Sequence, residues 1–224
     1  ILLRSTAQGE MLSVGGSLEQ NNLHVDEMFL FPDGKDYPIH KSGSGDMPPP
    51  PSETEALREK LSSLPEYVRL EATVSFLEEL SMEELVKFMT AAAMDPITNN
   101  MDITWVAVDG GVAGCGMSVD GGQVYPLVDL DYRCFSDPAG WNQESLEHHF
   151  KSLLRYSADQ VEKGRGIAPY GHESVYTEIL DYVEENGIKT YGVVVTASPQ
   201  ALLKLMDSDL IYDIRLIDGW VDIG

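Results

Sequence analysis

Apolar and polar side chains alternate through Tyr67–Phe76, YVRLEATVSF, with β-branched residues among them, the pattern of a strand with one buried face. The same reading applies to Ile103–Val108, Thr190–Thr196 and Leu210–Ile217. Helical spacing separates these runs. Ser52 followed by Glu55 is a capping box, and a short helix over Glu53–Ser62 is expected to stop at Pro65. Ser81 with Glu84 opens a second helix, MEELVKFMTAAAM, which Asp95-Pro96 ends. Ser198-Pro199 is an N-cap with proline at the first helical position, followed by a helix through Ala201–Met206.

Between the two strand–helix–strand stretches the pattern changes. Asp-Gly-Gly turns at Asp109 and Asp120 flank VAGCGMSV, and QVYPLVDL follows, so short hairpins are expected, with Pro126 confined to an edge. Two helices come next. Asn142 caps the first, in which Leu146, His149, Phe150, Leu153, Leu154 and Val161 share a face. The second, His172 to Glu185, carries Val175, Ile179, Leu180 and Val183 on one face and stops at Asn186-Gly187.

SMEELVKFM from Ser81 and SPQALLKLM from Ser198 echo one another, with Ser81/Ser198, Leu85/Leu202, Lys87/Lys204 and Met89/Met206 in register. Two βαβ units of this kind make an α+β, ferredoxin-like split βαβ sandwich. A long central insertion, about residues 109–187, would hold the short strands and the helix pair. That domain would span 52–224, preceded by an extended segment at 1–31 with strand-like runs near Met11–Val14 and Leu23–Phe31. Residues 32–51 between them hold six of the twelve prolines and read as an exposed linker.

Charge narrows the function. Lys and Arg number 15 against 37 Asp and Glu, a net charge of −22 that repels nucleic acid and anionic lipid alike. No apolar run is long enough for a membrane-spanning helix. The first residue is Ile1 rather than Met, so the chain reads as a piece of a longer one whose anchoring segment is not in view. Two cysteines, Cys115 and Cys134, either pair or stay as quiet thiols, and spacing leaves both open.

Candidate chemistry is sparse. Glu144, His148, His149, His172 and Glu173 are the best metal-ligating set, but Glu144 and His148 share a face while His149 points to the apolar stripe, and no HExxH occurs. Asp129, Asp131 and Asp137 lack the closing Glu of a calcium loop, and Arg133 stands where an oxygen ligand is needed. Cys115 lies between glycines with no base nearby in sequence. The glycines at Gly111–Gly114 and Gly164–Gly171, the latter flanking Arg165, lack the lysine and hydroxyl of a phosphate loop. Tyr67, Trp105 and Tyr191 are scattered rather than arrayed for RNA stacking. No metal and no cofactor is expected.

LPEYVRLEATVSFLEELSMEELVKFM with DITWVAV, and KTYGVVVTASPQALLKLMDSDLIYDIRLIDG, resemble the C-terminal domain of bacterial membrane-anchored sigma-factor regulators, over about residues 64–218. The matching features are the strand-to-helix steps at Val74–Leu85 and Val193–Leu205. The resemblance implies a non-enzymatic, extracytoplasmic domain of an anti-sigma factor. Its partners would be an unidentified protein or small-molecule signal, and a sigma factor bound through a cytoplasmic part not in this chain. It supplies no catalytic residues. Within the insertion, Tyr132, Trp141 and Tyr170 are the candidate partner-binding residues, since loops grafted on a rigid sheet carry function. Two alternatives stay open: a cytosolic small-ligand-binding module of the same fold, and a hydrolase joining Cys115 or Asp129 to His149 or His172.

Overall fold

The structure is a computed structural model that describes residues 39–41, 51–112, 114–119, 142–162 and 173–221. Chain order is α1 (Pro51–Ser62), β1 (Val68–Ser81), α2 (Met82–Met94), β2 (Asp102–Val108), β3 (Gly116–Ser118), α3 (Gln143–Glu162), α4 (Glu173–Asn186), β4 (Lys189–Ala197), α5 (Pro199–Met206) and β5 (Ile211–Val221).

Local chemistry sets the helix starts. The Ser81 hydroxyl accepts the Glu84 N–H at 3.3 Å while the Glu84 carboxylate accepts the Ser81 N–H at 2.8 Å, a complete capping box. Ser198 accepts the Ala201 N–H at 3.2 Å, and Pro199 occupies the first turn of α5. Helix α1 starts at Pro51, so Ser52 lies within its first turn and not at its cap.

The five strands run in the order β3-β2-β4-β1-β5, every neighbouring pair antiparallel. Strands β1 and β2 are therefore parallel to one another with β4 between them, and α2 makes the crossover. Strands β4 and β5 are likewise parallel about β1, with α5 as their crossover. Register pairs Ala72 with Val195 and Val74 with Val193, which sets apolar side chains opposite one another on the same face.

That face holds the main core. Val68, Leu70, Ala72, Val74 and Phe76 of β1 are buried with Val193, Val195 and Ala197 of β4 and with apolar residues from all five helices. Phe76 meets Phe88 of α2 edge-to-face, centroids 5.3 Å apart. Each fully buried Leu or Phe of this set contributes about 1.5–3 kcal/mol relative to exposure. The opposite face carries a smaller cluster of Trp105, Ala107 and Val194, against which Ile39, Tyr191 and Ile217 pack.

Two boundaries differ from the sequence pattern. Strand β1 runs on through Leu77–Ser81, because a register shift between Ser75 and Leu80 restores pairing after the polar Glu78 and Glu79. Strand β5 continues to Val221 by pairing with Val68 and Arg69. The first expected hairpin forms: β3 pairs with β2, the Val108 N–H donates to the Cys115 carbonyl at 2.9 Å, and Gly111 and Gly114 have φ of 75° and 74°. The second, at Asp120, lies outside the described residues. Among the described residues no helix is long and apolar enough to cross a membrane.

Candidate functional site

The helical layer divides into two blocks, α1 on α5, and α2, α3 and α4 packed in succession. Between α2 and α5 runs a groove of about 490 Å³. It exists because one face of α2 is small and apolar there, with Phe88, Ala91 and Ala92 turned toward Leu205 and Leu210, above Leu80 of the sheet. An ion pair between Lys204 and Asp95 joins the two helices at its rim. The Lys204 ammonium, together with the Ile97 and Thr98 N–H groups, holds the Asp95 carboxyl down to about 2. The groove's volume falls in the range of small-molecule sites, and Glu84, Lys87, Asp95 and Lys204 add charge to its lining.

A second cluster is polar and centres on Asp109, the first residue after β2. Its carboxylate accepts from Lys41 Nζ at 2.7 Å, from the Tyr182 hydroxyl at 3.0 Å and from the Gly111 N–H at 3.3 Å. Lys41 also lies 2.7 Å from Glu79 Oε1. Burial pushes the Asp109 carboxyl up, but the Lys41, Tyr182 and Gly111 donors outweigh it and hold the group below the usual carboxylate range. Burial likewise opposes charge on Lys41, and the hydrogen bonds to Asp109 and Glu79 outweigh it, raising the amine above its ordinary value. The hydrogen bond to Asp109 raises the Tyr182 phenol too. Asp109, Lys41 and Tyr182 are thus each held in the protonation state they already prefer at neutral pH. Such a cluster clamps an ammonium.

Cys115 is a buried free thiol. Burial, reinforced by the Asp109 charge, pushes it up to about 12, so it stays protonated and unreactive. The hydrolase reading thereby loses Cys115 as its nucleophile. His149 is buried on α3 and hydrogen-bonded to the backbone of Ser118, tying α3 to β3, and burial lowers it to about 4. Glu144 and His148 are exposed on the same helix, so the structure separates His148 from His149 as the spacing implied. Among the described residues no group of His, Cys, Asp and Glu is arranged to hold a metal ion.

The partner-binding candidates Tyr132, Trp141 and Tyr170 lie outside the described residues, as do His172, the Glu173 side chain, Asp129, Asp131, Arg133, Cys134, Asp137 and Arg165. Trp105 is a core residue of the face opposite the helices, Tyr191 packs beside it, and Tyr67 is exposed. Sequence reasoning missed Lys41, Glu79, Asp109 and Tyr182. Asp109 is 68 residues from Lys41 and 73 from Tyr182, and no spacing rule joins them.

No curated protein and no solved structure matches the chain significantly. A family model does, that of the sigma factor regulator C-terminal domain, across residues 61–216. The match runs from the end of α1 through both strand–helix–strand units, and on it the chain belongs to the sigma factor regulator C-terminal family.

Proposed function

We propose that the chain is a non-enzymatic sensor or interaction domain on the extracytoplasmic face of a membrane-anchored anti-sigma factor. The family match across residues 61–216 carries this reading. The charge pairing around Asp109 and the protonated Cys115 favour binding over catalysis. The scaffold is a ferredoxin-like split βαβ sandwich, a reading supported by the β5-β1-β4-β2 order and the α2 and α5 crossovers, with β3, α3 and α4 in the insertion. Tyr132, Trp141 and Tyr170 of the insertion are the proposed partner contacts. A signal that binds one conformation better than another shifts their balance, and the cytoplasmic part holds or releases its sigma factor accordingly.

Deleting residues 52–224 from the full-length regulator tests this in cells. Sigma-dependent transcription should change several-fold while the remainder still co-purifies with its sigma factor. Unchanged transcription would overturn it.

The groove between α2 and α5 favours a second reading, a cytosolic module that binds a small apolar ligand. It requires a ligand-dependent rise in melting temperature and no membrane segment in the full-length protein.

A further inference from the structure

On the face of the sheet turned away from the helices, residues 39–41 lie against the strands. In register across three strands, Ala107 of β2, Gly192 of β4 and Ser75 of β1 form a row of small residues, which ends at Gly116 of β3 beneath the Trp105 indole. Ile39 sits directly over this row: a Cβ added to Gly192 would come within 2.4 Å of Ile39 Cγ2. The His40 N–H donates to the Ser75 hydroxyl at 3.0 Å. The Lys41 ammonium then ends between Glu79 and Asp109, 2.7 Å from each. Three consecutive residues are thus held by three devices: apolar contact on a glycine floor, a backbone hydrogen bond, and a pair of carboxylates. The middle residue is held through its backbone N–H.

We propose that this strip of the sheet is a recognition groove for an extended segment with an apolar residue two positions before a lysine. Residues 39–41 occupy it in cis, and a basic partner peptide of the same pattern competes for it. Charge points to a cationic occupant, since two carboxylates converge on one ammonium in a chain of net charge −22. Lys189 approaches Glu79 only to 4.0 Å and does not take the place of Lys41. A tethered occupant has an effective concentration of order millimolar, so the groove is closed to weak free peptides until the tether yields. The inference holds whichever side of the membrane the domain occupies.

The test uses the full chain and a fluorescent peptide of residues 37–44, YPIHKSGS. A chain carrying Ile39→Asp with Lys41→Glu should bind the peptide at least about tenfold tighter than the unaltered chain. Adding Glu79→Lys to that chain, or replacing the peptide's lysine by glutamate, should abolish binding. Equal binding by altered and unaltered chains, or binding indifferent to the peptide's lysine, would overturn the proposal. Hydrogen exchange at His40 in the unaltered chain gives a second readout that needs no variant to fold. Excess peptide should speed that exchange, and no change at saturating peptide would contradict competition for one groove.

Discussion

The six-membered ring of the Trp105 indole lies against Gly116 on the neighbouring strand, so that a Cβ at position 116 would come within 2.0 Å of the ring and 2.4 Å of the Val106 carbonyl oxygen. Backbone and a fully buried Trp both block the space, and neither can yield cheaply. Gly116→Ala should cost about 1–3 kcal/mol by overpacking. Gly187→Ala meets nothing within 4 Å, yet its φ of 78° makes the change cost about 1–2 kcal/mol through backbone strain alone. Urea denaturation of both variants checks these values. Restoring room with Trp105→Leu should rescue the first variant in part and leave the second unchanged.

Ser81 and Ser198 cap the two crossover helices. Replacing either by alanine should lower stability by about 1 kcal/mol. The caps lie on separate helices, so the double variant should show the sum to within about 0.5 kcal/mol. A much larger loss for Ser198→Ala alone would mean that its burial, and not its cap, dominates.

Protonation of His149 supplies a pH signature. Its folded value of about 4 lies below the ordinary 6.5 because burial disfavours the imidazolium, with His148 adding to the effect against a hydrogen bond to the Ser118 backbone. Below pH 6.5 the unfolded chain takes up a proton that the folded chain refuses, so this contribution is complete above that pH and is lost as the pH falls toward 4. The limiting slope is about 1.4 kcal/mol per pH unit for one proton. Unfolding titrations of the native chain and His149→Gln, subtracted, should give a difference that falls over that window. A flat difference would show that His149 titrates normally.

Much of this arrangement can be read from the chain before any coordinates. The alternation in β1 and β4, the Ser81 box, the Ser198-Pro199 start and the echo between α2 and α5 follow from backbone chemistry within a few residues. Leu85 and Leu202, which the echo aligns, are both buried in the main core. What could not be read depends on contacts between distant segments. Residues 32–51 look like an exposed linker because proline dominates them, yet Ile39 is half-buried against the Trp105 cluster. Asp109 looks like a turn residue and is one, but it is also where Lys41 and Tyr182 meet. Leu77–Ser81 looks too polar for a strand, and only the partner strands, by shifting register, make it one.

The groove between α2 and α5 should take up an apolar fluorescent dye in the native chain. Ala92→Trp, which places a ring in the groove from the half-buried face of α2, should reduce dye binding several-fold with little change in melting temperature. Undiminished binding would locate the apolar site elsewhere.

The proposed placement of the domain outside the membrane is open to direct test in the full-length protein in its own cells. Intact protoplasts are treated with protease, and fragments are followed with antibodies to this domain and to the remainder. Loss of the domain while the remainder stays protected is the expected result for an extracytoplasmic part of an anchored sigma-factor regulator. Full protection of a protein found in the soluble fraction would contradict that placement and leave the cytosolic ligand-binding module as the reading.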